Sequence, residues 1–305
     1  MSAGAGVRGW RLVRVAGPDG QARCGVIDPS APDAIRLLGH DDWLGALEDG
    51  DLAALADEAR DSVAIEAPET LEPAAGWRLL MPLLPPECWA SGVTYERSRD
   101  ARVEESQAKD VYAMVYDADR PEIFMKDAAC RRTVGPGQPL GVRADSTWTV
   151  PEPELVLVLG RGGGIVGVTA GNDVTARDVE GANPLYLPQA KLFAGAGSLG
   201  PAVLVPDDLE APFAIELTIY GADGATVIET STSTGSMKRG LRELVDWLLR
   251  DNPVPAGSIL YTGTGIVPPD DVALAPGMRT VVRIPGIGEL RNPVHAAGDL
   301  ARKLG

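Results

Sequence analysis

The run PEPELVLVLGRGGGIVGVTAGND, residues 151–173, decides how the rest of the chain is read. Prolines at 151 and 153 hold φ near the extended value and bias the residue before each toward β. In an extended chain residues i and i+2 point to the same face. Glu152 and Glu154 therefore project side by side at the mouth of the apolar run Leu155–Leu159. Gly160–Gly164 supplies a turn, Ile165–Ala170 a second apolar run, and Asp173 lies at its end. Two carboxylates so placed repel each other unless a cation lies between them. Three hard oxygen donors without Cys or His suit Mg²⁺ or Mn²⁺. From the spacing alone, solvated acids at a strand mouth are the competing reading.

Composition narrows the classes of partner. The chain has 305 residues, 45% hydrophobic and 23% charged, which fits one large globular domain or a large one with a small companion. A net charge of −15 supplies no basic patch for a phosphate backbone, so a nucleic-acid partner is excluded. No apolar run reaches the length of a membrane span, and residues 1–6 lack the apolar core of a signal peptide. Cys24, Cys88 and Cys130 are far apart and in no CxxC spacing, so neither a disulfide framework nor a zinc site is signalled. Buried thiols in a reducing cytoplasm are the expectation.

Outward from the central run, residues 8–29 read as a hairpin with strands Trp10–Ala16 and Arg23–Ile27 around a Pro18-Asp19-Gly20 turn. Leu44, Leu47, Leu52 and Leu55 give residues 40–61 a short helical period. Pro68 and Pro73 suggest a linker, and His40 beside Asp41 and Asp42 reads as a surface histidine. Residues 1–78 are thus expected to form a small α+β domain, with residues 79–305 as a second, strand-rich one. Strands are expected at Ile123–Met125, Ala202–Val205, Ala214–Tyr220, Ser258–Thr262 and Val281–Ile284. Helices are expected at 96–109, which is mostly charged, and at 237–250, where Leu241, Leu244, Val245, Leu248 and Leu249 form a stripe capped by Thr234 or Ser236. Strands do not alternate with helices, which disfavours a doubly wound parallel sheet. Gly195–Gly200 matches GxGxxG, but Pro201 and a β-like run follow where a dinucleotide site needs a helix.

Several motifs in fixed order resemble the fumarylacetoacetate hydrolase superfamily. They are Gly92-Val93-Thr94-Tyr95, Phe124-Met125-Lys126, Glu152-Pro153-Glu154-Leu155, Asn172–Asp178, Lys191, and Thr262-Gly263-Thr264-Gly265. The resemblance covers residues 79–305. It implies an α+β fold built as a mixed β-roll or sandwich, an Mg²⁺ or Mn²⁺ site at Glu152, Glu154 and Asp173, and a 2-oxo acid substrate that chelates the ion. It also implies a homo-oligomer, usually a dimer.

Two positions depart from the hydrolases and decarboxylases of that family. Ser98 stands where they carry a base-forming His, and Glu180 where they have Gln; the only histidines are His40 and His295. Serine accepts no proton near neutral pH without a base beside it. The stretches Arg120–Phe124 and Glu180–Lys191 are similar instead to the 2-keto-3-deoxy-pentonate dehydratases, a subgroup of the family that forms 2,5-dioxopentanoate. Lys191 is the candidate base, or else a salt-bridge partner of Glu180 and the carboxylates. Glu122 is the candidate for protonating the leaving hydroxyl or shuttling the later proton, or else a surface acid at a strand edge. Thr264 is the candidate substrate contact, and Arg177 either binds substrate or neutralises the acids. Lys126 reads as a structural partner of the carboxylates. Segment 96–109 reads as a mobile lid or as a static surface helix. Hydrolysis or decarboxylation of an acylpyruvate or oxaloacetate, and an inactive metal-binding scaffold, are the alternatives.

Overall fold

A computed structural model describes residues 6–105 and 114–304. Strand Pro153–Leu159 is buried at every position, as a strand covered on both faces must be. Its alternation divides the core. Leu155, Leu157 and Leu159 join one apolar cluster with Ile215, Leu217 and Val282. Val156 and Val158 join another with Leu12, Leu199 and Tyr261. The strand turns through residues 160–164 and pairs antiparallel with Ile165–Asp173, setting Pro153 against Asn172 and Glu154 against Gly171.

Around this hairpin the described residues build a 13-stranded sheet. On one side follow Gly197–Pro206, then the N-terminal strands Gly9–Ala16, Ala22–Asp28, Ala31–Leu37 and Asp61–Ala67. On the other follow Ile259–Tyr261, Glu87–Gly92 and, at the edge, Glu122–Ala128. A five-stranded sheet covers one face, built on Arg279–Ile284 between Ala214–Tyr220 and Gly288–Ala296. The helix Leu241–Leu249 buries Leu241, Leu244, Val245 and Leu248 in the same cluster. This is the α+β roll-and-sandwich architecture expected from the sequence.

Some local expectations change. The N-terminal hairpin forms as expected, and its first strand hydrogen-bonds to Gly197–Pro206, so residues 9–16 extend the main sheet. Pro73 lies in the two-residue strand Glu72–Pro73 against Asp61–Ala67, where a linker was expected. Proline tolerates such an edge because it has no N–H to offer a further strand. Residues 234–236 form a separate 3₁₀ turn capped by Ser233, and the long helix starts after Gly240, whose N–H donates to Glu243. Neither Thr234 nor Ser236 caps it. Gly197–Pro206 is a strand, so Gly195–Gly200 opens no helix. The helix after Tyr95 spans Glu96–Glu105; residues 106–109 of the expected lid lie outside the described residues. His40 and His295 are both exposed.

Candidate active site

Hairpin register brings the three acids together. The Asp173 N–H donates to the Glu152 carbonyl at 2.8 Å, so these two residues oppose each other across the hairpin. Glu154, two residues along, shares the face. One carboxylate oxygen from each of Glu152, Glu154 and Asp173 lies within 4.8 Å of the others, and all three side chains are buried. The side chain of Asn172 adds a brace, its Oδ1 accepting from the Glu152 N–H at 3.0 Å.

Three cations answer this charge. Lys191 ends the short helix Leu187–Lys191, and its Nζ lies 2.5 Å from Glu152 Oε2 and 2.9 Å from Asp173 Oδ2. The Phe124 ring centroid lies 5.6 Å from the same Nζ. Lys126 pairs with the other Asp173 oxygen at 2.5 Å and donates to the carbonyls of Lys191 and Val174. Burial pulls the Lys126 ammonium below its ordinary pKa, with Asp173 opposing the shift. Arg177 pairs with Glu152 Oε1 at 2.6 Å and with Glu180 Oε2 at 3.3 Å.

Glu154 differs from its neighbours. Its Oε2 accepts from the Gly263 N–H at 2.6 Å. Burial first, then Asp173 and Glu152, raise its carboxyl well above the ordinary range. A small cation among the three groups relieves that repulsion directly. The donor set is all carboxylate, with no thiolate or imidazole, so a hard divalent ion fits it.

Above the acids opens a cavity that Glu122, Phe124, Ser98, Glu180, Lys191 and Thr264 help to line. A roomier concavity on the N-terminal strands, beside Arg23, His40 and Arg60, has no comparable convergence of acids, so size does not mark the site. Glu122 stands opposite Gly92 across paired strands. A Cβ at position 92 would lie 2.0 Å from Glu122 Oε2, so glycine is what lets that carboxylate rest against the backbone. Thr264 Oγ1 donates to the Pro153 carbonyl at 2.9 Å and accepts from the Ile266 N–H at 3.1 Å, which ties the Gly-rich turn to the acidic strand.

Of the residues singled out in the sequence, Glu122, Glu152, Glu154, Asp173, Lys191 and Thr264 share this cavity wall. Arg177 is 1% exposed and stands behind Glu152, outside the lining. Lys126, equally buried, holds the base of Lys191. The Lys191–Phe124 contact and the Gly92–Glu122 fit were not foreseen, because they join segments distant in sequence, and the Asn172 brace was not, because the exact hairpin register sets it.

The family described as fumarylacetoacetate (FAA) hydrolase C-terminal matches residues 88–295, more than half of the chain. The chain belongs to the fumarylacetoacetate hydrolase family. Within that family it is 46% identical over 253 residues to a probable 2-keto-3-deoxyxylonate dehydratase of Haloferax volcanii, covering 80% of this chain and 87% of the relative. It is 45% identical over 222 residues to the 2-dehydro-3-deoxy-D-arabinonate dehydratase of Saccharolobus solfataricus, covering 71% and 74%. A solved structure of 2-keto-3-deoxy-D-arabinonate dehydratase complexed with magnesium and 2,5-dioxopentanoate superposes with a TM-score of 0.77 at 35% identity, covering 94% and 99%.

Proposed function

We propose that this member of the fumarylacetoacetate hydrolase family is an Mg²⁺-dependent hydro-lyase. It dehydrates a 2-keto-3-deoxy-pentonate to 2,5-dioxopentanoate. The observation that carries the proposal is Lys191 Nζ, 2.5 Å and 2.9 Å from two of three clustered carboxylates in a cavity it shares with Glu122. The dehydratase names of the two relatives support the substrate class, and the magnesium in the related structure supports the ion.

Glu152, Glu154 and Asp173 would hold the cation, Mg²⁺ or else Mn²⁺. Bound there, it supplies Lewis-acid withdrawal of charge from the substrate's carboxylate and 2-keto oxygens. Lys191 Nζ takes the C3 proton as the neutral amine; it would shed its own proton to solvent where the cation replaces it as counter-charge to Glu152 and Asp173. Lys126 fixes the backbone from which Lys191 reaches, through its bond to the Lys191 carbonyl at 2.7 Å. The Glu122 carboxyl gives a proton to the C4 hydroxyl, which leaves as water, and tautomerisation carries C5 to the aldehyde level. Arg177 neutralises Glu152 and positions Glu180. Ser98 in the cavity, with no histidine among the described residues lining it, favours dehydration over water-activated C–C cleavage.

The finer points follow the same line. We propose a cytoplasmic homo-oligomer, with residues 1–78 as a companion unit to the catalytic residues 79–305. The free cysteines fit a reducing compartment.

The test is direct. Metal-stripped protein given Mg²⁺ and 2-keto-3-deoxy-D-arabinonate or its xylonate isomer yields 2,5-dioxopentanoate by NMR, and chelator stops the reaction. Consumption of neither isomer rejects the proposal.

A further inference from the structure

The five acidic side chains that line the cavity face Lys191 as the single cationic one among its described lining residues. Three of the acids form the cluster below, and Glu122 is a half-buried residue on the edge strand. Glu180 has no part in the metal set or the proton transfers proposed above. Yet it is 4% exposed, and one of its oxygens forms an ion pair with Arg177 Nε at 3.3 Å. A buried carboxylate held in a cavity wall has a definite chemical preference. It has lone pairs for about four hydrogen bonds, accepts from hydroxyl groups, and donates nothing. In a water-poor pocket it also repels a second carboxylate strongly.

We propose that Glu180 is the specificity-determining residue of this cavity. It accepts a hydrogen bond from a hydroxyl on the distal half of the substrate and excludes 2-oxo acids that end in a carboxylate. Ser98, 3% exposed and in the same lining, supplies the neighbouring polar contact to that hydroxylated tail. The hydroxyl half rests on the dehydratase reading above; the exclusion half rests only on the cavity's charge. Glu180 thereby gives the fold a means of separating sugar-derived 2-oxo acids from dicarboxylates of the same length.

Three five-carbon probes separate the effects: a 2-keto-3-deoxy-pentonate, uncharged-tailed 2-oxopentanoate, and 2-oxoglutarate. Binding is measured calorimetrically with Mg²⁺ present, and turnover separately. Wild-type protein binds 2-oxoglutarate at least about tenfold more weakly than 2-oxopentanoate, the scale of a like-charge clash. In Glu180→Gln, which keeps the side chain's shape beside Arg177 and removes its charge, the gap closes to within about threefold. The pentonate KM rises about tenfold or more, kcat changes little, and 2-oxopentanoate binding is unchanged, as expected when one recognition bond to a hydroxyl is weakened. Glu180→Asp keeps the negative charge and therefore keeps the exclusion of 2-oxoglutarate.

The proposal is overturned if wild-type protein binds 2-oxoglutarate as tightly as 2-oxopentanoate. It is overturned equally if Glu180→Gln weakens 2-oxopentanoate in step with the pentonate, which would mark an effect relayed through Arg177 and Glu152. If wild-type protein turns over no pentonate, the hydroxyl half falls with the proposed function, while the ratio of the other two probes still decides the exclusion half.

Discussion

Replacing Lys191 with Met separates the two duties given to that residue. The side-chain volume is kept, while an ammonium 2.5 Å from Glu152 and 2.9 Å from Asp173 is lost. Both partners are at most 4% exposed, so solvent screens little of the loss. Removing one partner from a buried ion pair costs about 3–5 kcal/mol. In a chain of this length that lowers Tm by on the order of ten degrees. The deficit belongs to metal-free protein. A saturating divalent cation takes over the charge that the ammonium supplied, so Mg²⁺ raises the Tm of Lys191→Met more than that of wild type. Activity behaves oppositely. Without the C3 base, kcat falls by about 10²–10⁴-fold even at saturating Mg²⁺. Deuterium exchange at C3 of bound 2-oxobutyrate, followed by NMR in D₂O, falls with it. Scanning calorimetry with and without Mg²⁺, beside the exchange assay, reads both effects. A variant that melts like wild type without metal, or still exchanges C3 protons at the wild-type rate, refutes the assignment.

Other perturbations test neighbouring links. Glu154 binds its proton more tightly folded than unfolded, so metal-free stability falls as pH rises from the unfolded carboxyl value toward the raised folded one. Mg²⁺ needs the ionised carboxylate; the Mg²⁺-induced rise in Tm is therefore larger at pH 8 than at pH 5, about the ordinary carboxyl range, and a pH-independent rise contradicts this. Gly92→Ala displaces the Glu122 carboxylate, which is the mobile end of a side chain, so Tm and Mg²⁺ binding change little. Turnover by Gly92→Ala falls about 10²-fold through misplacement of the proton donor, and unchanged kcat would remove Glu122 from that role. Lys126→Met leaves Asp173 without its 2.5 Å partner and frees the Lys191 carbonyl. It destabilises metal-free protein by about 3–5 kcal/mol, which denaturant titration reads directly.

Legibility in the sequence tracked how local each feature is. Proline-fixed extension and i, i+2 alternation located Glu152 and Glu154, and the next apolar run located Asp173, because one hairpin carries all three. The leucine stripe of 241–249 was equally plain. The start of that helix was not, since Thr234 and Ser236 are credible caps until Ser233 is seen closing a separate turn. Lys191 and Glu122 were recognisable only through their family motifs. Nothing in their spacing brings Glu122 beside Gly92, or Lys191 onto acids at 152 and 173, until edge strand and short helix are folded over the hairpin. The same holds at the N-terminus. The hairpin of residues 9–28 is legible, but its pairing with Gly197–Pro206 is a contact between distant segments that no local pattern encodes.

The most direct measurement is a crystal soaked with Mn²⁺ and 2-oxobutyrate, read by anomalous scattering. The predicted result is one peak touched by Glu152, Glu154 and Asp173, the keto acid on the ion, and Lys191 Nζ facing C3. An ion bound elsewhere, or Lys191 turned away from the ligand, contradicts it.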